Sequence, residues 1–149
     1  MRSFALLALL LTACAPDPVL GTFDFTLTGT ETETAPRSQT TTTSGSGPMA
    51  ITTGKANDYV VTLAQTDATP CVVTAERTEK GDAINITAGQ KCTFVFAGGN
   101  VTATMTTGTV AASEKGENAT VKVSYTYAGV TFGINFAGTG ERTYTGPRR

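Results

Sequence analysis

The side chains able to do chemistry are few, and what is missing narrows the choices. With no histidine in 149 residues, the chain has no imidazole base, no Ser-His-Asp arrangement and no histidine ligand for a metal. Glu79 and Asp82 flank Lys80-Gly81, and Glu114 and Glu117 flank Lys115-Gly116. A carboxylate pair doing acid-base work needs a cleft that raises one pKa, whereas these positions read as solvated hairpin tips. Glycine pairs such as Gly98-Gly99 precede strand-like residues, not a helix N-terminus that would cradle phosphate. The expectation is therefore no catalytic residue, no metal and no cofactor. One charge, Arg77, falls on the apolar face of its strand, and pairing Leu63 with Cys71 would bring Tyr59 beside it. An arginine and a tyrosine at the mouth of a sheet are suited to holding a carboxylate or head group; the plainer alternative is an arginine snorkelling out of the end.

The first residues carry an address. Met1 and Arg2 open with positive charge, and Phe4 to Leu11 is apolar throughout, far short of the roughly 20 residues that span a bilayer. This is the order of a secretory signal peptide, residues 1–13. Leu11-Thr12-Ala13-Cys14 resembles the lipobox of bacterial lipoproteins. The resemblance implies cleavage before Cys14, lipid attachment to its thiol, and anchoring in the cell envelope, with each buried methylene contributing about 0.8 kcal/mol. Residue 15 is alanine where aspartate would favour inner-membrane retention, so the outer membrane of a Gram-negative cell is the expected destination. Residues 14–18 form a lipidated tether, with a reach of roughly 15–20 Å at full extension between Cys14 and the first strand-like residue. With Cys14 committed to lipid and the compartment oxidising, Cys71 and Cys92 are expected to form a disulfide, worth roughly 3 kcal/mol by loop closure.

Eleven basic and twelve acidic side chains give a net charge of −1, with no basic cluster of the kind a nucleic-acid surface requires. Threonine makes up about a fifth of the chain, valine and phenylalanine recur at alternate positions, and no 3.6-residue apolar period appears. These are all-β signs. Phe23, Phe25 and Leu27 alternate in a first strand, Met49 and Ile51 in a second, and Tyr59, Val61 and Leu63 in a third. Two-residue turns ending in glycine set the register downstream. Lys80-Gly81 opposes Ala75 to Ile86, and Gly98-Gly99 opposes Phe94 to Ala103. Thr107-Gly108 opposes Met105 to Val110, Lys115-Gly116 opposes Val110 to Val121, and Ala128-Gly129 opposes Tyr125 to Phe132 and Val123 to Ile134. In each case apolar residues meet on one face. The expectation is a single domain, residues 19–149: an up-and-down antiparallel meander of about ten or eleven strands, closed as a barrel or folded as a clamshell.

Residues 31–47, with Glu-Thr repeats, Thr40 to Thr43 and Ser44-Gly45-Ser46-Gly47, read as a low-complexity surface loop. Gly21-Thr22-Phe23 followed by such a loop is similar to the opening Gly-x-Trp and large first loop of lipocalin-like barrels, with Phe23 in place of the tryptophan. That resemblance implies a small apolar or lipid-like ligand. The residues themselves favour an envelope lipoprotein with a structural or interaction role, whose partners are the membrane and an envelope protein.

Overall fold

The computed structural model describes residues 17–55, 58–65, 68–78, 83–96 and 99–149. The expected signal peptide, Cys14 and the expected turn at Lys80-Gly81 lie outside the described residues, as does Gly98. Among the described residues nine strands follow in chain order: β1 (Gly21–Ala35), β2 (Gln39–Thr53), β3 (Tyr59–Gln65), β4 (Ala68–Arg77), β5 (Ile84–Ile86), β6 (Lys91–Phe96), β7 (Gly99–Ala112), β8 (Asn118–Thr131) and β9 (Ile134–Pro147). All pair antiparallel in one sheet that closes into a ring, because β1 pairs with both β2 and β9 and β5 pairs with both β4 and β7.

Alternation places the core as the first three strands imply. Phe23, Phe25, Met49, Ile51, Tyr59, Val61 and Leu63 all point into the ring and are buried. Leu63 opposes Cys71 and Ala75 opposes Ile86, both as the pattern requires. Val110 opposes Val121 across the Lys115-Gly116 hairpin.

Two glycine-ending dipeptides are not turns: one lies inside a continuous strand, which lowers the strand count, and the other gives way to a turn four residues on. Thr107-Gly108 lies inside β7 at a bulge between Met105 and Thr107, where Thr106 and Thr107 both face outward and the Thr106 hydroxyl donates to the Ser124 carbonyl at 2.9 Å. A Cβ on Gly108 would stand 2.9 Å from the Ile86 side chain and from the Lys122 carbonyl; the glycine serves close approach. Met105 therefore opposes Tyr125, not Val110. Ala128-Gly129 lies inside β8, and a Cβ on Gly129 would meet Val101 at 2.8 Å. The β8–β9 turn is Phe132-Gly133, between paired Thr131 and Ile134, with φ of 50° and 75°. Positive φ at both central residues marks a type I′ hairpin, which normally carries Asn-Gly or Asp-Gly; holding phenylalanine there costs roughly 1–2 kcal/mol. Tyr125 and Val123 consequently face Gly140 and Arg142, and Val130, Phe132 and Ile134 are exposed, not inside the ring. At Gly98-Gly99 the register is tighter than expected by two residues, so Phe94 opposes Val101 and Cys92 opposes Ala103. The inward face is unchanged, since a shift of two preserves side-chain direction.

Residues 31–47 are strand on either side of a short turn at 36–38, not a long loop. Glu31–Ala35 completes β1, and β2 pairs with β1 residue by residue from Gly21 opposite Ile51 to Glu33 opposite Gln39. Threonine is a good strand former that tolerates water, and Gln39–Gly47 is at most half buried. Low complexity here reflects a strand with no apolar face, not a missing one.

The seam between β4 and β7 is made in two pieces. β5 and β6 run in succession along β7 with a one-residue shift in register, so the closed ring has eight positions. Where β5 ends, the Gln90 side chain substitutes for a backbone peptide: its Oε1 accepts from the Thr74 amide at 2.7 Å, and its Nε2 donates to the Thr74 and Thr87 carbonyls at 2.9 and 2.7 Å. Beyond it, the Cys71–Cys92 disulfide joins β4 to β6, with Cα atoms 5.3 Å apart.

Candidate functional site

Strand direction gives the ring two ends. One carries the start of β1, the β2–β3 and β7–β8 connections and the end of β9. The other carries the turns between β1 and β2 and between β8 and β9.

At the first end the segment leading into β1 crosses the opening. Val19 is buried in the core, its amide donating to the Asp17 carboxylate at 3.1 Å. Arg148 clamps this segment, donating from Nη2 to the Pro18 carbonyl at 2.9 Å and from Nε to the Gly116 carbonyl at 2.6 Å. Its guanidinium stands 5.2 Å from the Phe23 ring centroid.

Tyr59 and Arg77 do meet here, as their register implies. Arg77 Nε donates to the Tyr59 hydroxyl at 2.9 Å. They also hold a carboxylate, but it belongs to the same chain: Asp17 Oδ2 accepts from Tyr59 at 2.5 Å and from Arg77 Nη2 at 2.6 Å. Partial burial would raise the Asp17 pKa, yet hydrogen bonds from Tyr59, the Val19 amide and Arg77 outweigh it and hold the carboxyl below its usual value. Burial, with the Asp17 carboxylate beside it, pushes the Tyr59 hydroxyl up. Nothing in the sequence pattern marked Asp17, which sits in the expected tether, as the third member.

A second arginine, tyrosine and carboxylate group lies deeper, toward the other end. Glu31 on β1 accepts a hydrogen bond from the Tyr125 hydroxyl on β8 at 2.8 Å and pairs with Arg142 on β9. The Arg142 and Glu31 side chains are only 13% and 11% exposed. Arg142 also lies over the Phe94 ring, 4.3 Å from its centroid, a cation-π contact that gains from desolvation. Burial would lower the Arg142 pKa, but Tyr125, Tyr144 and Glu31 around it raise it above its ordinary value. Burial drives the Tyr125 hydroxyl strongly upward. Glu33, two residues on and on the same inward face, is buried too and accepts from Gln39 Nε2 at 2.8 Å. Inward charges on two β1 positions were hidden by the Glu-Thr repeat, where alternation of glutamate and threonine resembles a solvated tract.

Most of the remaining interior is apolar. Phe23, Met49, Leu63, Met105, Tyr125 and Tyr144 are among its largest fully buried side chains. Phe94 is buried, whereas Phe136 is half buried and packs against the core. Depressions on the wall are shallow and threonine-lined: one of about 370 Å³ is bordered by Thr30, Thr32, Thr106, Thr126 and Glu141. Among the described residues no group of three potential ligands could hold a metal. Both arginine clusters are built to cross-link strands. No protein-family model, curated protein or solved structure matches the chain.

Proposed function

We propose that the chain is a cell-envelope lipoprotein, anchored through Cys14 in the outer membrane of a Gram-negative cell, with a structural or interaction role and no catalytic activity. The observation that carries this reading is the Tyr59–Arg77 pair, whose anion site is filled by Asp17 of the same chain. The mouth that best suited a ligand is thereby turned into a fastening for the segment next to the anchor. Inside the ring Glu31 is likewise engaged by Arg142 and Tyr125 of the same chain, which favours a rigid presenting body over a reaction vessel.

A carrier of a small apolar ligand, in the manner of lipocalin-like barrels, is the second reading, and the eight-position ring favours it. Native mass spectrometry of the protein purified from its host membranes separates the two. The structural reading expects a mature chain beginning at an acylated Cys14, with Cys71 and Cys92 oxidised and no other bound molecule. Release of a stoichiometric apolar compound would replace it with the carrier, and an unmodified Cys14 would remove the anchor.

A further inference from the structure

The large apolar side chains left exposed among the described residues are Val72, Val130, Phe132 and Ile134. Three of these four sit on one hairpin tip: Phe132 is 87% exposed, Val130 61% and Ile134 46%. From Ala128 to Ala137 there is no charged residue. Phe132 occupies a positive-φ position that glycine or asparagine would fill without strain. A turn that breaks its local rule and gains no burial in return points to function outside the fold.

We propose that the Val130–Ile134 tip inserts into a lipid surface, and that this surface is not the bilayer carrying the N-terminal anchor. The tip is convex and small, on the order of 300 Å² of apolar side chain, well short of the roughly 800 Å² per partner of a stable protein interface. Lipid needs no matching pocket. Three apolar side chains ahead of an uncharged rim can sink about 5–10 Å into the headgroup boundary. Arg37, exposed on the adjoining β1–β2 turn, supplies a cation beside them for anionic headgroups, since Ala35 pairs with Ala137 at the base of the tip.

The second half of the proposal rests on the Cys14 anchor. Asp17 is fastened at the end of the ring where β1 begins, while Phe132 lies at the end where β9 begins. Strands of fourteen and fifteen residues separate them, roughly 45–50 Å along the strand at about 3.3 Å per residue. Asp17 binds β3 and β4, which lie across the ring from β8 and β9. The few residues between Cys14 and Asp17 cannot lay the ring on its side to bring the tip back to the anchoring membrane. A chain anchored at Cys14 touches lipid at both ends.

The chain has no tryptophan, so Phe132→Trp places a single reporter at the tip. The acylated Phe132→Trp protein is reconstituted in phosphatidylethanolamine/phosphatidylglycerol vesicles, then mixed with a second population of the same composition with brominated acyl chains. The expected result is a blue shift and loss of tryptophan emission on mixing. Wild-type protein should also cluster the two populations, and Phe132→Ser should not. Emission unchanged on mixing overturns the proposal. So does quenching only when the brominated lipid is in the carrier vesicles, or a blue shift that requires an added envelope protein. Failure of the protein to float with its carrier vesicles is a failure of the anchor alone; the tip is then tested by adding the free protein to brominated vesicles, where unchanged emission rejects it.

Discussion

The ring holds two groups of an arginine, a tyrosine and a carboxylate in mutual contact, one at its first end and one in its interior, and they differ chiefly in depth. Asp17, Tyr59 and Arg77 sit at the mouth, with the ion pair 25% and 37% exposed. Glu31, Tyr125 and Arg142 lie inside. In water-accessible surroundings an ion pair contributes little because solvent screens it. Deep in the ring, removing one partner strands the other in a medium that cannot solvate it. The same chemistry is therefore a latch at the mouth and a structural dependency in the interior. The ends differ in surface as well: charge crowds the end with Asp17, Asp58, Glu117 and Arg148, while the other carries the apolar tip.

The largest effect that would test this contrast is Arg142→Met. It should destabilise by about 3–5 kcal/mol by leaving Glu31 buried and unpaired, read as a lowered urea midpoint. The double variant Glu31→Gln/Arg142→Met should recover much of that loss. Recovery would fail if the arginine acted mainly through its packing on Phe94.

Next comes the seam. Reduction of the disulfide, or Cys71→Ser with Cys92→Ser, should cost roughly 2–4 kcal/mol by calorimetry. A loss well below that range would mean that β5 and Gln90 hold the seam by themselves.

At the latch, Asp17→Asn should cost no more than about 1 kcal/mol at neutral pH. Its signature is the pH dependence. The folded carboxyl is held below its unfolded value, so the stabilisation is fully present above the unfolded value and disappears as pH falls through the folded one. Wild type should thus lose its advantage over Asp17→Asn on acidification below about pH 4. Parallel stability curves for the two proteins would dissolve the latch.

The smallest effect has the opposite sign. Phe132→Asn should stabilise the protein by about 1 kcal/mol by relieving positive φ at the tip, raising the melting temperature slightly. A destabilised variant would show that the exposed ring packs usefully after all.

Alternation in Phe23, Phe25, Met49, Ile51, Tyr59 and Val61 was enough to orient β1 to β3, because an apolar and a polar face were both present. The Tyr59–Arg77 neighbours followed from local register, and the Cys71–Cys92 pair from the expectation of an oxidising compartment with Cys14 set aside for lipid. What sequence could not show was where a glycine serves a turn and where it serves close approach. Gly108 and Gly129 resemble turn glycines until Ile86 and Val101 are packed against them, whereas Phe132-Gly133 does not resemble a type I′ turn at all. The deeper arginine cluster was beyond reach for another reason: Glu31 and Arg142 lie 111 residues apart, and only closure of the ring makes them neighbours.

That closure has a consequence for the order of events when the chain is made. The β1 edge from Thr26 to Ala35 pairs with residues 137–145, so it must wait with its amides and carbonyls open while more than a hundred residues emerge. An exposed edge invites pairing with another chain. The Glu-Thr alternation of residues 30–34, charged and without aliphatic bulk, is poor material for such pairing, and so guards that part of the nascent edge until its proper neighbour arrives.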